Sequence, residues 1–434
     1  MMTQGSAQGT FTKLCALRDP YITRARDASK LTIPTIMPDE GHNASSKLPT
    51  PYQSVGARGV NNLASALLLS LLPPNAPFFR LVIDQTALNE LEGQEGGAQM
   101  KTEIEGALSK IERSVMSEIE TQALRVHAFE ALRHLIVTGN VCLHLPEGGG
   151  MRVLHLDRYV VKRDSMGNPR MIITKECVAP ELLPKEARPL ATQNTDATSV
   201  DNSVDLYTCV KTREDGRIEV FQEVGGAIVP GSTGTFDADK SPYIVLRMSR
   251  TEGEDYGRGY VEQYIGDLKS LESLTMSIVE ASAAAAKVLF LVSPNGVTRS
   301  RVLAEAPNGA IVEGSAGDVS VLKLDKAADL SIAYQTIQTI SDRLSYAFLL
   351  TDNAIRNAER VTAAEVRLVT QSIERQLGGI YSVLSMEFQM PLVQRLMDQM
   401  QRDKRLPDLP SDLVHPAIIT GVEALGRGND LNKM

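Results

Sequence analysis

The stretch Leu350–Met400 constrains the fold of this 434-residue chain more than any other. A polar, charged segment, Thr351–Arg360, runs straight into a long helical pattern. Thr362 and Glu365 have capping-box spacing, in which each side chain satisfies an amide left free at the helix start. Apolar residues then recur at Val366, Val369, Ile373, Leu377, Ile380, Leu384, Phe388, Leu392 and Leu396. Steps of three and four place them on one face. Two features break the pattern: Gly378-Gly379 weakens the middle, and Pro391 removes the amide that would bond back to Glu387. The spacing predicts a kinked helix with a charged loop at its tip. A bent helix of this length buries its stripe only against neighbours, so the rest of the chain must supply them.

The chain before it alternates between helical and extended periods. Phe11–Lys30 reads as a helix, followed by an irregular stretch broken by Pro34, Pro38, Pro49 and Pro51. Gly56–Leu72 is apolar nearly all round, which predicts a buried helix stopped by Pro73-Pro74. With no Trp and 5% aromatic residues, the core it enters must be mostly aliphatic. Phe78–Ile83 reads as a short strand. In Met100–Glu120, Ile104, Leu108, Ile111, Val115 and Ile119 form one helical face. Arg125–Thr138 is a second helix, ended by Gly139 in the left-handed turn that favours glycine.

From Val141 the period changes to two. Hairpin signals at Pro146–Gly150, Asp164–Pro169 and Asp215-Gly216 separate strand pairs, and Tyr243–Arg247 closes the set. Residues 140–250 are therefore expected to form one antiparallel, meander-like sheet region packed on the preceding helices. Helical periodicity returns at Gly259 and predicts a single helix of about 28 residues, about 42 Å long at 1.5 Å per residue. Its alanine run Ala281–Ala286, with Ala283, Ala284, Ala285 and Ala286 at the end, suits close packing between similar helices. Val288–Val292, Gly309–Glu313 and Val319–Leu324 read as three short strands of a module too small for a core of its own. Ala327–Leu350 is helical again, and Pro407–Met434 is proline-broken with a short helical stretch. The fold class is α+β.

Little in the sequence points to catalysis. There is no P-loop, and Gly257-Arg-Gly259 lacks the third glycine of a dinucleotide site. The six histidines are scattered, as are Cys15, Cys142, Cys177 and Cys209, which fits isolated thiols in a reducing compartment. No metal site or cofactor is expected. The acids Glu252, Glu254 and Asp255 beside a glycine turn are read as a solvated or helix-start cluster, with a metal-dependent nuclease as the alternative from another class. A net charge of -8 argues against tight non-specific nucleic-acid binding, though not against a surface past which DNA slides. The polar start Met-Met-Thr-Gln-Gly-Ser carries no secretory signal. The longest apolar run, Leu63–Leu72, is about half of a membrane span, so no membrane partner is expected.

Several longer stretches carry a family resemblance. They are Thr50-Pro-Tyr-Gln-Ser-Val-Gly-Ala-Arg-Gly-Val-Asn-Asn-Leu-Ala-Ser65, Tyr256-Gly-Arg-Gly-Tyr-Val-Glu-Gln-Tyr-Ile-Gly-Asp-Leu268, Glu359-Arg-Val-Thr-Ala-Ala-Glu-Val366, Leu377-Gly-Gly-Ile-Tyr-Ser382 and Gly421-Val-Glu-Ala-Leu-Gly-Arg-Gly428. Through them the chain resembles the portal, or head-to-tail connector, proteins of podoviruses (short-tailed phages), over nearly its whole length. The resemblance implies a non-enzymatic protein of the virion: a dodecameric homo-oligomer ring at one capsid vertex, assembled in the host cytoplasm, through which double-stranded genomic DNA is packaged and ejected. It implies major capsid protein, scaffold protein, terminase, tail adaptor and internal core proteins as partners. It implies a wing (1–258), a stem (259–287 and 327–350), a clip (288–326), a tunnel loop (351–361), a kinked helix joining wing and crown (362–400), and the start of a partial crown (401–434).

Under that resemblance the tunnel loop would present Thr351, Asp352, Asn353, Arg356, Asn357, Glu359 and Arg360 to DNA. The stem would pack through Ala283–Ala286. The clip would dock terminase and tail through Pro294, Asn295, Arg299, Arg301 and Asp318, and Gly378, Gly379 and Pro391 would bend the long helix. The nearest alternative is a collar or adaptor ring without a packaging role.

Overall fold

The computed structural model describes residues 6–43, 45–74, 77–84, 97–192, 203–285, 289–307, 309–322, 327–350, 377–407 and 414–419. Helix α1 is Ala7–Lys30. It starts four residues before the predicted Phe11 because a distant strand caps it. The carboxylate of Glu223, itself 2% exposed, accepts from the amides of Ala7 (2.7 Å) and Gln8 (3.0 Å). These are donors that no helical carbonyl can reach, and a negative charge also suits the helix dipole. Helix α2 (Val55–Leu71) is the buried element its composition predicts, with Val60, Leu63, Ala64 and Leu67 fully enclosed. In α3 (Gly97–Thr121) the predicted face Leu108, Ile111, Val115 and Ile119 is buried. Helix α4 (Leu124–Thr138) ends at Gly139, φ 77°.

The expected single sheet is two. β2 (Asn140–His144) pairs with β3 (Arg152–Leu154) on one side and, on the other, with β10 (Tyr243–Arg247). The second sheet runs β4 (Tyr159–Arg163), β5 (Pro169–Val178), β6 (Val204–Thr212), β7 (Ile218–Val224) and β8 (Ala227–Ile228), with β9 (Gly234–Phe236) on β7. The tight-turn hairpins form as the sequence predicts. The closing strand departs because all five residues of β10 are buried. Such a strand needs apolar cover on both faces and finds it beside β2, between helices and the larger sheet.

Two further departures concern the helix pair and the chain's end. The predicted 28-residue helix is interrupted at Tyr264 (φ -111°, ψ 13°), leaving a single turn Tyr260–Gln263 and then α5 (Ile265–Ala285). Helix α6 (Ala327–Ala347) packs against α5 and stops at Leu349, φ 59°. Between them β11 (Leu289–Val292) and β12 (Val319–Leu322) form an antiparallel pair. The third strand predicted over Gly309–Glu313 does not form. Among the described residues no strand lies beside that stretch, and Ile311 is fully exposed. A short helix, Ser300–Glu305, stands in the module instead. Near the end, Val414–Ile418 is a strand, β13, while 408–413 and 420–434, the rest of the stretch expected to hold a short helix, lie outside the described residues. It pairs with the predicted strand β1 (Phe79–Ile83). Pro416 is tolerated there because β13 has one neighbour among the described residues. The far edge of β1 is covered by Glu112, whose Oε1 accepts from Leu81 N at 2.7 Å.

The kinked helix is seen from Leu377 onward. Gly378 and Gly379 lie in regular helical turns over 377–384. The irregularity falls just before Pro391, as a π-turn at Ser385–Gln389 leading into α7 (Met390–Arg402). Met390 N donates to Ser385 O, five residues back. The extra residue is the local answer to the missing proline amide. Two buried arginines fasten this segment to the sheets. Arg247, 2% exposed, donates to Glu387 Oε1 at 2.6 Å. Arg395, fully buried, pairs with Asp398 at 3.1 Å and donates to Leu145 O at 3.4 Å.

The main core joins α2, α3, α4, β2, β10, the end of α6 and residues 377–400. It also encloses a histidine. Burial, helped by the nearby His155 and Arg133, depresses the pKa of His134 from 6.5 to about 3. His134 is thus neutral when folded. The unfolded chain takes up its proton below about pH 6.5 while the folded chain does not, so stability present above that pH drains away as pH falls toward 3. By pH 4.5 the loss is on the order of 3 kcal/mol from this group. His144, lowered to about 4 by burial, acts in the same direction. A falling thermal midpoint from pH 7 to 4.5, less steep in His134→Leu, is the expected result.

Candidate functional site: the junction of helix pair and body

The quoted stretches over 50–65 and 256–268 meet where α5 and α6 join the body, while those over 359–366 and 421–428 lie outside the described residues. Gly59 of α2 lies directly under Phe348, and a Cβ there would stand 2.6 Å from the ring's Cγ. One turn on, Asn62 Nδ2 donates to Phe348 O (3.1 Å) and Leu349 O (2.9 Å). Tyr260 Oη donates to Ala347 O at 2.9 Å, and Tyr260 and Tyr264 both pack on the fully buried Phe348. The last carbonyls of α6 would otherwise lack donors, so Asn62 and Tyr260 act as its C-terminal cap.

The chain re-emerges beside the same helix. Tyr381 Oη donates to Ser70 O at 3.4 Å, and Gln389 Nε2 donates to Leu71 O at 2.6 Å. The described chain is thus held at Asn62 before the segment and at Ser70 after it, eight residues along α2, about 12 Å at 1.5 Å per residue. Residues Thr351, Asp352, Asn353, Arg356, Asn357, Glu359 and Arg360, and the capping pair Thr362 and Glu365, lie outside the described residues.

A second contact fixes the start of α5. Asn140 Oδ1 accepts from Gly257 N (2.7 Å) and its Nδ2 donates to Gly257 O (2.8 Å), a two-bond clasp buried in the core. Backbones touch here. A Cβ on Gly139 would stand 2.4 Å from the carbonyl carbon of Arg258, and one on Gly259 would stand 2.5 Å from Val137 O. The neighbouring acids are committed to structure. Asp255 accepts from Arg163 N and pairs with Lys162, each at 2.8 Å. Glu254 pairs with Arg258 at 2.9 Å, which lowers its pKa. Tyr256 Oη accepts from Val161 N at 3.1 Å. Asp255 and Tyr256 thus occupy the outer edge of β4. Among the described residues no three acid, His or Cys side chains gather as a metal site.

The other predicted residues fall elsewhere. Ala283 and Ala284 are exposed on the last turn of α5. Ala285 closes the helix, and Ala286 lies outside the described residues. In the small β module Pro294, Asn295, Arg299 and Arg301 are exposed, Arg301 pairing with Glu305 at 3.1 Å. Asp318 turns inward and accepts from Thr298 N and Oγ1, each at 3.1 Å. Sequence reasoning did not single out Asn62, Asn140, Arg395 or Gln389. Asn62 had a signal, being one of the few polar residues in a largely apolar helix. Asn140, Gln389 and the Leu145 contact of Arg395 act across more than a hundred residues, which no local pattern reveals.

Comparison with known proteins places this geometry. The portal protein of Escherichia phage T7 is 42% identical over 439 residues, covering 100% of this chain and 81% of its own length. The portal protein of Enterobacteria phage T3 is 42% identical over 99% of this chain and 81% of its own. The portal protein of Enterobacteria phage SP6 is 31% identical over 97% and 80%. Among solved structures, the neck of an empty GTA particle aligns over 87% of this chain and 84% of its own, at TM-score 0.43 and 12% identity, too distant to add to the argument. The family described as bacteriophage head to tail connecting protein matches residues 4–434, and with near-full-length relatives above 30% identity this chain belongs to that family.

Proposed function

We propose that the protein is a portal: a dodecameric ring at one capsid vertex, at the head–tail junction of the virion, that conducts double-stranded DNA into the head and out again. The observation that carries this reading is the 42% identity to portal proteins over essentially the whole of this chain. The fold supports it. Residues 1–258 form the wing. Helices within 259–287 and 327–350 form the stem, which projects from the body and leaves Ala283 and Ala284 exposed for a neighbouring subunit. Residues 288–326 form the clip, whose two strands have open edges that neighbouring clips can share. Residues 401–434 begin a crown, reached by the kinked helix over 362–400. Ring subunits meet through heterologous contacts that close by rotation. The role is structural, without catalysis. Terminase and later the tail adaptor dock on the exposed clip residues Pro294, Asn295, Arg299 and Arg301. Major capsid, scaffold and internal core proteins meet the wing and crown. No helix among the described residues is long and apolar enough to cross a membrane.

The loop 351–361 is the part that meets DNA, with Arg356 and Arg360 offset by Glu359. Both flanks of the longer segment are anchored on α2 through side chains outside the loop. Deleting Asn353–Glu359 is therefore expected to leave rings intact while packaged-genome yield or retention falls. Single-particle imaging of purified protein with rotational averaging tests the ring, and genome content per particle tests the loop. A stable monomer, or normal genome content in the deletion, would count against the reading.

A further inference from the structure

A cleft of about 590 Å³ opens where the start of α5 and the end of α6 meet the body, and its walls include Tyr260, Tyr264, Asp342 and Tyr346. Tyr260 is buried and Tyr264 half-buried, while Tyr346 is 67% exposed. Arg343 also borders the cleft, but its guanidinium is held by Asp267 at 2.9 Å. Asp342 is exposed and has no hydrogen bond or ion pair among the described residues. The last turn of α6, the negative end of its dipole, closes one side. Aromatic faces, an unpaired carboxylate and a helix C-terminus all favour a cation as guest. A flat guanidinium suits the aromatic walls better than an ammonium does.

The chain carries such a cation beside the same helix end. Arg58 of α2 is exposed, and its guanidinium meets no carboxylate among the described residues. The next residue, Gly59, lies directly against Phe348. Arg58 does not serve the cleft of its own chain. At about 100° per helical residue, Tyr346 and Asp342 are turned roughly 160° and 120° around α6 from Phe348, the side chain that faces α2. The cleft therefore opens on the side of α6 away from α2. An arginine on one flank and its receptor on the other is what a head-to-tail ring requires, since each contact there joins two different patches.

We propose that in the ring the guanidinium of Arg58 enters the tyrosine-lined cleft of the adjacent copy, stacks on Tyr346 and pairs with Asp342. The inference rests on the ring reading and names one contact between copies within it. Each copy gives one arginine and receives one, so every interface of a closed ring repeats the contact. Inside the cleft the pair is partly withdrawn from water, where attraction between charges is stronger and less screened by salt than at an open surface.

The test uses the full chain carrying Arg58→Glu or, separately, Asp342→Arg, with rings counted by light scattering and single-particle imaging. Like charges then face each other at every interface. Each variant should need about tenfold more protein, or more, to reach half-assembly. Both positions are exposed in the single chain, so the thermal midpoint of the unassembled protein should stay near wild type. Mixed in equal amounts before assembly, the two variants should regain rings. In alternating copies the introduced glutamate meets the introduced arginine, and each native Arg58 meets a native Asp342. A dodecamer, being even-numbered, allows strict alternation. The double variant should regain rings as well. Normal ring yield from both single variants would overturn the proposal. So would impaired single variants that neither mixing nor the double variant restores. Wild-type protein that forms no rings would instead overturn the ring reading itself.

Discussion

Ala284→Glu should give a folded chain that no longer assembles into rings. In the single chain Ala284 is exposed on the last turn of α5, so the substitution removes no contact from the core. Its intramolecular effect is limited to a small propensity difference and an acid near a helix C-terminus, together below about 1 kcal/mol. Assembly is affected differently. Under the ring reading, the small side chains let neighbouring stems approach closely, and the carboxylate would be desolvated there without a partner. An uncompensated buried charge costs about 3 to 5 kcal/mol, and every interface of a closed ring repeats it. Size-exclusion chromatography with light scattering should report monomers or small oligomers. Circular dichroism melting should stay within a few degrees of wild type. Rings of normal size from this variant would show that the alanine run faces solvent.

Gly139→Ala carries the largest expected loss of stability from a single methyl group. Gly139 ends α4 at φ 77°, where a Cβ is strained. The same Cβ would stand 2.4 Å from both the carbonyl carbon of Arg258 and the amide nitrogen of Gly259. These are backbone atoms and cannot rotate aside, unlike the end of a long side chain. Strain and overpacking together amount to about 3 to 4 kcal/mol. Relieving the clash also pulls Gly257 away from the Asn140 clasp. The effect should therefore reach the orientation of α5 as well as the melting temperature. A lowered thermal midpoint with increased proteolysis near 249–260 is the expected result. An unchanged midpoint would show that the junction is looser than its distances imply.

The two substitutions mark the boundary between local and tertiary information. The alanine run is visible in sequence because composition and helical period are local properties. The same holds for the buried α2, the apolar face of α3, the glycine stop after α4 and the hairpins with tight turns. In each, the signal lies within a few residues of the structure it specifies. The family resemblance was also legible, since its motifs are continuous stretches. The Gly139–Gly259 contact joins segments 120 residues apart, and nothing near either glycine announces the other.

The remaining departures have the same cause. β10 pairs with β2 because a strand buried at every position needs cover on both faces, which only the assembled layers provide. β13 finds β1 across more than 330 residues, where the sequence offered a proline-broken tail. α1 gains its first turn from a glutamate on β7. The break in the long helix moves off the glycines to a π-turn before Pro391, beside the Arg247–Glu387 pair. Periodicity, capping and turn chemistry thus determined from sequence alone which elements exist and roughly where they begin. Tertiary structure decided strand partners and the polar clasps at the junction. The physical reason is that these depend on groups brought together only when distant apolar surfaces are buried.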